Sequence, residues 1–170
     1  MSSSTTNNSL KYTGVVTLSQ YIGDKKVEIA KVHNAGAYPL FNFLSDCLLG
    51  DFELANLNRP TKIMLLSKVY DSANSNSFDY VSNSGFMSVT SKPEKVYDSS
   101  TSSKIRYSFI ITRDKLEGTS FDCIALYPMS ASMQDYKNFS AICDVRQKDM
   151  STIASTMSLV VDWELTISNQ

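Results

Sequence analysis

The sequence predicts a mainly β protein: an antiparallel β-sandwich or barrel with one amphipathic helix at about residues 39–49, between an N-terminal hairpin and the remaining strands. Two observations indicate this fold. Short apolar runs separated by turn sequences recur along most of the 170-residue chain, a spacing typical of sandwiches and barrels. Charged residues are only 19% of the chain, while nine tyrosines and eight phenylalanines supply aromatic rings that suit strands.

The domain organisation follows from length and from the polarity of the first residues. Residues 1–10 are mostly Ser, Thr and Asn, and they offer so little to bury that we expect a flexible N-terminal arm. Residues 11–170 are the right length for a single β-sandwich domain. The chain has neither a signal-peptide pattern nor an apolar run of bilayer length, so we expect no membrane contact and synthesis in a reducing cytoplasm.

The first predicted element is a hairpin. In YTGVVTLSQYIGDKKVEIAKVHN, two runs of strand-like residues flank the turn-forming pair Gly23 and Asp24. Strict alternation in the second run predicts that Ile29 and Ala30 lie on opposite faces of its strand.

The helix is predicted because the apolar period changes after the hairpin. In AYPLFNFLSDCLLGDF the apolar residues recur three and four positions apart, at Leu40, Phe43, Leu44, Cys47 and Leu48. Pro39 suits a first helical turn and Gly50 suits a C-terminal cap. Phe41 and Leu49 widen the apolar face, so the helix must lie against a sheet or a partner.

The rest of the chain is predicted as strands and loops. The strand-like segments are PTKIMLLSKV, SGFMSVTS, KIRYSFIITRD, FDCIALYPMS, NFSAICDVR and SLVVDWELTI. The first of these is largely apolar and is predicted to be buried. The polar stretches DSANSNS and DSSTSS, and the segment KPEKVYDSSTSS as a whole, are interpreted as exposed loops.

The last strand raises the question of a catalytic pair, because Asp162 and Glu164 bracket the single tryptophan, Trp163. Residues two apart on one strand face lie about 6.6–6.8 Å apart, within the roughly 6.5–9.5 Å that separates the carboxyls of inverting glycosidases. Alternation nevertheless puts Trp163 on the opposite face, where it is unable to raise the pKa of either acid by burying it. We therefore predict a buried Trp163, two acids that face solvent, and no catalytic site here.

The remaining candidates for chemistry are few. His33 is the single histidine and lacks a nearby ligand-like partner, so a structural role beside an Asn34–Gly36 turn is expected. The cysteines Cys47, Cys123 and Cys143 are far apart and odd in number, which predicts buried free thiols. No nucleotide, metalloprotease or hydrolase motif occurs. The predicted sets of catalytic, cofactor-binding and metal-binding residues are therefore all empty.

The charge balance and the positions of the tyrosines indicate which kinds of partner to expect. Sixteen basic and seventeen acidic residues give a net charge of −1, and the basic residues are scattered among acids, so no nucleic-acid partner is expected. Several tyrosines fall at predicted loop or strand ends, namely Tyr70, Tyr80, Tyr97, Tyr127 and Tyr136. Such rings serve either as a sugar platform or as part of a subunit interface, and the second use is the commoner.

The order of the polar arm, the hairpin, the helix LFNFLSDCLLGDF leading into NRPTKIMLL, and the closing SLVVDWELTIS resembles small virion structural proteins of tailed bacteriophages. These belong to the β-sandwich group that builds head-tail rings, tail adaptors and head fibres. The similarity extends from about Tyr12 to Ser168 and includes no catalytic signature.

The resemblance implies a non-enzymatic virion protein that is assembled in the host cytoplasm. Its partners would be copies of itself, in a ring or a trimer, and portal, tail or capsid proteins. The alternative is a carbohydrate- or receptor-binding sandwich of a phage fibre, which would use exposed tyrosines to bind a glycan.

Overall fold

The computed structural model describes residues 10–36, 38–71, 74–81, 85–117, 119–145 and 157–169. The arm predicted at 1–10 therefore lies outside the described residues, except for Leu10, which begins the first strand. The elements in chain order are β1 (Leu10–Ile22), β2 (Lys25–Gly36), α1 (Tyr38–Leu49), α2 (Phe52–Asn58), β3 (Pro60–Asp71), β4 (Asn74–Tyr80), β5 (Met87–Ser88), β6 (Glu94–Asp98), β7 (Ser102–Ile111), α3 (Arg113–Leu116), β8 (Cys123–Pro128), a 3-10 turn (Met133–Asp135), β9 (Ala141–Asp144) and β10 (Leu159–Asn169).

The strands form two antiparallel sheets, which confirms the predicted β-sandwich. Sheet A has the order β2-β1-β10-β7-β6, and sheet B has the order β4-β3-β8-β9, with β5 beside β3. The path through both sheets has two free ends, β4 and β6, so the structure is not a closed barrel.

Strand β2 joins the two sheets. It pairs with β1 as far as Asn34, and its last two residues, Ala35 and Gly36, pair with β9 of sheet B. The Asn34 side chain occupies the space beside Gly14 at this crossing: a Cβ at position 14 would lie 1.5 Å from the Asn34 Oδ1 atom, so a larger residue would require that side chain to move. One strand that changes sheet is a common way to turn the corner of a sandwich.

The main core lies between the sheets. Sheet A contributes the alternate residues of β1, β7 and β10, and sheet B contributes those of β3, β8 and β9. The largest fully buried side chains of this main core are Trp163, Phe109, Leu18, Ile63, Leu65, Ile111, Ile124, Leu126 and Leu159. Trp163 is 0% exposed, so the predicted orientation of the last strand is confirmed.

Sheet B is buried on its outer face as well. Met64, Leu66, Cys123, Ala125 and Tyr127 point away from sheet A into a second apolar cluster. Partly buried aromatic rings cover this cluster, namely Phe78, Phe86, Tyr136 and Phe139. Two buried faces explain why β3 and β8 contain continuous apolar runs, IMLL and CIALY, whereas β10 alternates.

The hairpin is confirmed, but its alternation is broken by a bulge. Leu18 pairs with Ala30 and Ser19 with Glu28, so Ile29 is an extra residue on β2. As a result both Ile29 and Ala30 contact the main core, and the prediction that they lie on opposite faces is wrong.

Two polar segments that the sequence predicts to be loops form strands in the structure. β4 begins within DSANSNS, and β6 lies in KPEKVYDSSTSS. Both strands occupy free ends of the strand path, and every residue of β6 is exposed. Backbone hydrogen bonds to one neighbouring strand can hold an edge strand in the sheet without a buried apolar face. The sequence of such a strand therefore need not show an apolar pattern.

Helix α1 agrees with the predicted range of about 39–49, and Gly50 caps it with a φ of 75°. The second helix, α2, was not predicted; Asp51 begins it by accepting a hydrogen bond from the Leu54 amide at 3.0 Å. Cys47 is exposed, so its predicted burial is wrong. Among the described residues no helix is long and apolar enough to cross a bilayer.

Replacing Trp163 by alanine should lower the free energy of unfolding by about 3–5 kcal/mol, since the fully buried indole would leave a cavity. Trp163→Phe should cost clearly less, because it refills most of the space and removes an indole N–H that has no hydrogen-bond partner among the described residues. Urea unfolding followed by circular dichroism measures both, as neither variant retains tryptophan fluorescence. Equal losses for the two variants would contradict this packing.

Candidate functional site

The two acids of β10 lie on the outer face of sheet A, opposite the core. Asp162 is paired across the sheet with Thr17 on β1 and Ser108 on β7. Glu164 is paired in the same way with Val15 and Arg106. The neighbouring strands therefore decide what surrounds each carboxylate.

Asp162 is held by two partners from other strands. The Lys26 ammonium lies 2.5 Å from its Oδ2 atom, and the Ser108 hydroxyl donates to its Oδ1 atom at 2.7 Å. Only 13% of the Asp162 side chain is exposed. Both carboxylate oxygens are therefore engaged, one by a charge and one by a neutral hydroxyl.

Glu164 is held by two cations from β7. Arg106 donates to its Oε1 atom from both Nε and Nη2, at 3.1 and 2.6 Å, and the Lys104 ammonium lies 3.5 Å from Oε2. Burial by itself would raise the pKa of Glu164, but the hydrogen bond from Arg106 and the two positive charges outweigh it and hold the pKa below its usual value. The same hydrogen bond raises the pKa of Arg106.

Together these side chains line an open cleft of about 380 Å³. Its lining has equal numbers of basic and acidic side chains beside two hydroxyls: Lys26, Lys31, Arg106, Glu28, Asp162, Glu164, Thr17 and Ser19. The cleft offers polar contacts to a hydrated ligand. Glu164 does not suit the role of the protonated carboxyl in glycoside cleavage, because its pKa is lowered rather than raised.

The prediction that both acids face solvent is therefore wrong in part. They do lie on the face opposite Trp163, but each side chain is about seven-eighths covered, with 13% of Asp162 and 14% of Glu164 exposed. Their partners, Lys26 and Arg106, are more than fifty residues away in sequence. Only the register of sheet A brings them together, so no local pattern could have revealed the ion pairs.

His33 lies within β2 rather than at a turn, since Asn34–Gly36 continue the strand. Its side chain is exposed on the face opposite the core, across from Val15. Among the described residues, no group of three or more His, Cys, Asp or Glu side chains is placed to hold a metal ion.

All three cysteines are free. Cys123 and Cys143 are buried, as predicted, and burial raises the pKa of the Cys143 thiol to about 12. Cys47, by contrast, is exposed near the end of α1. It is therefore the one thiol of the chain that a reagent reaches without unfolding.

The structure divides the five tyrosines among different surroundings. Tyr127 is fully buried in the second cluster, and the Tyr70 side chain lies outside the described residues. Tyr97 is exposed on β6 at the far edge of sheet A. Tyr80 and Tyr136 come together on the outer side of sheet B, with ring centroids 5.4 Å apart.

The Tyr80–Tyr136 pair carries polar groups at its margin. The Tyr136 hydroxyl donates to the Asp79 Oδ1 atom at 3.1 Å, and the Lys137 ammonium lies 5.6 Å from the Tyr136 ring centroid. Tyr80 is 45% exposed. An accessible ring beside a carboxylate and an ammonium can contact both the apolar and the hydroxylated sides of a sugar.

The three most exposed large apolar side chains of the described residues lie at the junction of α1 and α2, which we call the helical corner: Leu48, Leu49 and Phe52. These side chains are 84%, 82% and 76% exposed. Of the predicted apolar stripe, Phe43 packs against the main core. Phe43 and Leu44 also line a small cavity with five residues of sheet A, namely Tyr12, Ile105, Tyr107, Leu165 and Ile167. The C-terminal end of the stripe has no such cover.

Glu164→Gln should remove part of the pH dependence of stability. Because the folded-state pKa of Glu164 is lowered, its contribution is fully present above the unfolded-state value of about 4.3 and is lost as the pH falls through the folded-state pKa. The difference in the free energy of unfolding between wild type and E164Q should therefore shrink on acidification below pH 4. Urea unfolding followed by Trp163 fluorescence measures it.

The matched control is Glu117→Gln, which removes an exposed carboxylate near Arg113. Its stability difference from wild type should stay close to zero throughout, as for most exposed ion pairs. A constant difference between wild type and E164Q across the acid range would contradict the account of the Glu164 site.

Comparisons of this chain with protein-family models, curated proteins and solved structures found no match. Three surfaces of the described residues differ in character: a charge-balanced cleft, a tyrosine pair with polar margins, and an exposed apolar corner.

Proposed function

We propose that this protein is a non-enzymatic structural subunit that assembles with copies of itself through the helical corner. The observation that carries the proposal is the exposure of Leu48, Leu49 and Phe52, each more than three-quarters accessible. Three large apolar side chains exposed together lower the solubility of an isolated subunit, and they do not contribute to its core. Such patches are typical of contact surfaces.

The backbone of the helical corner has a defined shape. The Gly50 and Asp51 amides donate to the carbonyls of Cys47 and Asp46, at 3.3 and 3.1 Å. The Asn58 side-chain amide donates to the buried Asp46 carboxylate at 2.8 Å and so ties the end of α2 to α1. The corner thus presents its side chains from a preorganised backbone, which lowers the entropy cost of binding.

The cleft on sheet A supports the non-enzymatic part of the proposal. Its two best-placed carboxylates are each engaged by a cation, which suits a stabilising network. Ion pairs between β2, β10 and β7 join these strands on the outer face of sheet A.

The setting of the assembly comes from the sequence resemblance. We propose a bacteriophage virion, with the protein at the head-tail junction, the tail or the capsid surface. Portal, tail or capsid proteins are the further partners, and assembly takes place in the host cytoplasm.

Replacing Leu48 and Leu49 together by glutamate should weaken self-association by at least about 100-fold, because each leucine loses roughly 1.5–3 kcal/mol of transfer free energy on exposure to water. Sedimentation velocity over a wide concentration range measures this effect. Labelling of Cys47 by a maleimide gives a second readout, since assembly should slow it in wild type and not in the variant.

The matched control is Val96→Glu with Ile110→Glu, which adds the same charge at apolar side chains that are 41% and 43% exposed on sheet A. This control should associate like wild type. A wild-type protein that remains monomeric at the highest attainable concentration, with Cys47 labelling independent of concentration, would overturn the proposal.

A second candidate function is glycan or receptor binding, favoured by the Tyr80–Tyr136 pair with Asp79 and Lys137 at its margin. Under this proposal Tyr80→Ala should abolish binding on a glycan array, because it removes the exposed ring on which a sugar would stack. Tyr97→Ala is the control, since Tyr97 is similarly exposed but lies at the edge of sheet A. An array on which wild type binds nothing, or on which both variants bind alike, would reject it.

A further inference from the structure

A second exposed apolar surface lies at the tip of the β1–β2 hairpin. On the core-facing side of β1, the buried residues Val16 and Leu18 are followed by Gln20 and then by Ile22, which is 62% exposed. Gln20 is opposite Val27 and Ile22 is opposite Lys25, so all four share one face. Val27 is 40% exposed. The core-facing side of the hairpin thus continues beyond the core.

We call this surface the hairpin patch: Ile22, Lys25 and Val27. It is a regular part of the strands and not a frayed end, because pairing continues to Ile22 and Lys25. Gly23 closes the two-residue turn with a φ of 60°, which suits the first central position of a type II′ turn. The Gln20 side-chain amide also reaches the Met157 carbonyl, at 3.5 Å.

The hairpin patch lies far along β1 from the place where α1 approaches sheet A. Phe43 and Leu44 of α1 line a small cavity with Tyr12, near the start of β1, and with Ile167, near the end of β10, which are paired neighbours. The hairpin patch lies at the other end of β1, ten residues from Tyr12. At a rise of about 3.3 Å per residue this places Ile22 roughly 33 Å from Tyr12 along the strand.

The charges of the two surfaces are complementary. The helical corner is flanked by the exposed acids Asp51 and Glu53, and neither α1 nor α2 has a basic residue in its last turn. On its own face, the hairpin patch carries Lys25, and Asp24 lies in the turn. Two corners in contact would bring the acids of both copies together, whereas a corner against a hairpin would place Lys25 beside Glu53.

We propose that the hairpin patch of one copy docks on the helical corner of the next, so that the subunits associate head to tail. This inference rests on the proposed self-assembly and adds its second surface and its polarity. A head-to-tail contact uses a different surface on each side, and it closes into a ring when the rotation between subunits allows it. Ring closure gives each subunit two contacts, which compensates for the small area of one.

The test uses two variants that each lack one surface. The corner variant carries Leu48→Glu and Leu49→Glu, and the hairpin variant carries Ile22→Glu and Val27→Glu. All four side chains are exposed, so both variants should fold, as circular dichroism would verify. Each variant alone should be monomeric in sedimentation velocity.

Mixed in equal amounts, the two variants should form a heterodimer of twice the 18.9 kDa chain mass and nothing larger, because the mixture contains one intact hairpin patch and one intact corner that fit together. The control is a chain with all four substitutions, which should form no heterodimer with the corner variant since neither retains a corner.

Charge exchange tests the polarity of the contact. In the corner variant, Lys25→Glu should weaken heterodimer formation several-fold, and Glu53→Lys in the hairpin variant should restore it. Lys26 is left unchanged because it binds Asp162, and Asp51 because it caps α2.

The outcomes separate this inference from the proposed function. A hairpin variant that self-associates like wild type, or two monomeric variants that form no heterodimer, would overturn the head-to-tail contact while self-assembly stands. A wild-type chain that never associates would overturn both.

Discussion

The position of β10 between β1 and β7 is the constraint on which the rest of the structure depends. Ten residue pairs join it to each neighbour, so its backbone is satisfied by hydrogen bonds on both sides. Trp163 on one face then enters the core, and Asp162 and Glu164 on the other face meet Lys26 and Arg106. The core and the ion-pair network are thus set by the same register, and a slip of one residue would exchange them.

The two sheets differ in how many of their faces are buried. Sheet B is apolar on both faces, with Met64 and Tyr127 outside and Leu65 and Leu126 inside. Sheet A contributes to the main core only on the side that faces sheet B, and its outer face holds ion pairs beside apolar side chains such as Ile110. Ion pairs that are mostly covered contribute more to geometry than to net stability, since desolvation offsets much of their attraction. This face is therefore better suited to keeping the sheet in register than to capturing a charged ligand.

The exposed apolar groups lie elsewhere: the helical corner is at the junction of α1 and α2, and the hairpin patch is at the tip of the β1–β2 hairpin. Both are built from ordered backbone: Gly50 and Asp51 define the corner, and Gly23 defines the hairpin tip. In the proposed assembly, the stabilising interactions lie within the two sheets, and the contact surfaces lie at the helix junction and the hairpin tip. Contacts can then form or break without loss of the fold, which is the property that an assembling part requires.

The sequence by itself determined the features that depend on neighbours along the chain. The alternation of Leu159, Val161, Trp163 and Leu165 predicted the buried face of β10, Gly23 and Asp24 predicted the hairpin turn, and the three-and-four spacing ended by Gly50 predicted α1. Each of these predictions rests on a local period of apolar residues or on the backbone preference of one residue. Both can be seen within a single segment of the sequence.

Only the tertiary structure decided which segments meet. Several features depend on contacts between distant parts of the chain. They are the bulge at Ile29, the exposure of Cys47, the edge strands β4 and β6, the cations beside Asp162 and Glu164, and the Tyr80–Tyr136 pair. A local pattern shows which side of a strand or helix is apolar. What covers that side, or leaves it open, is set by strand register and by where an element ends relative to its neighbours, and those quantities exist only in the folded molecule.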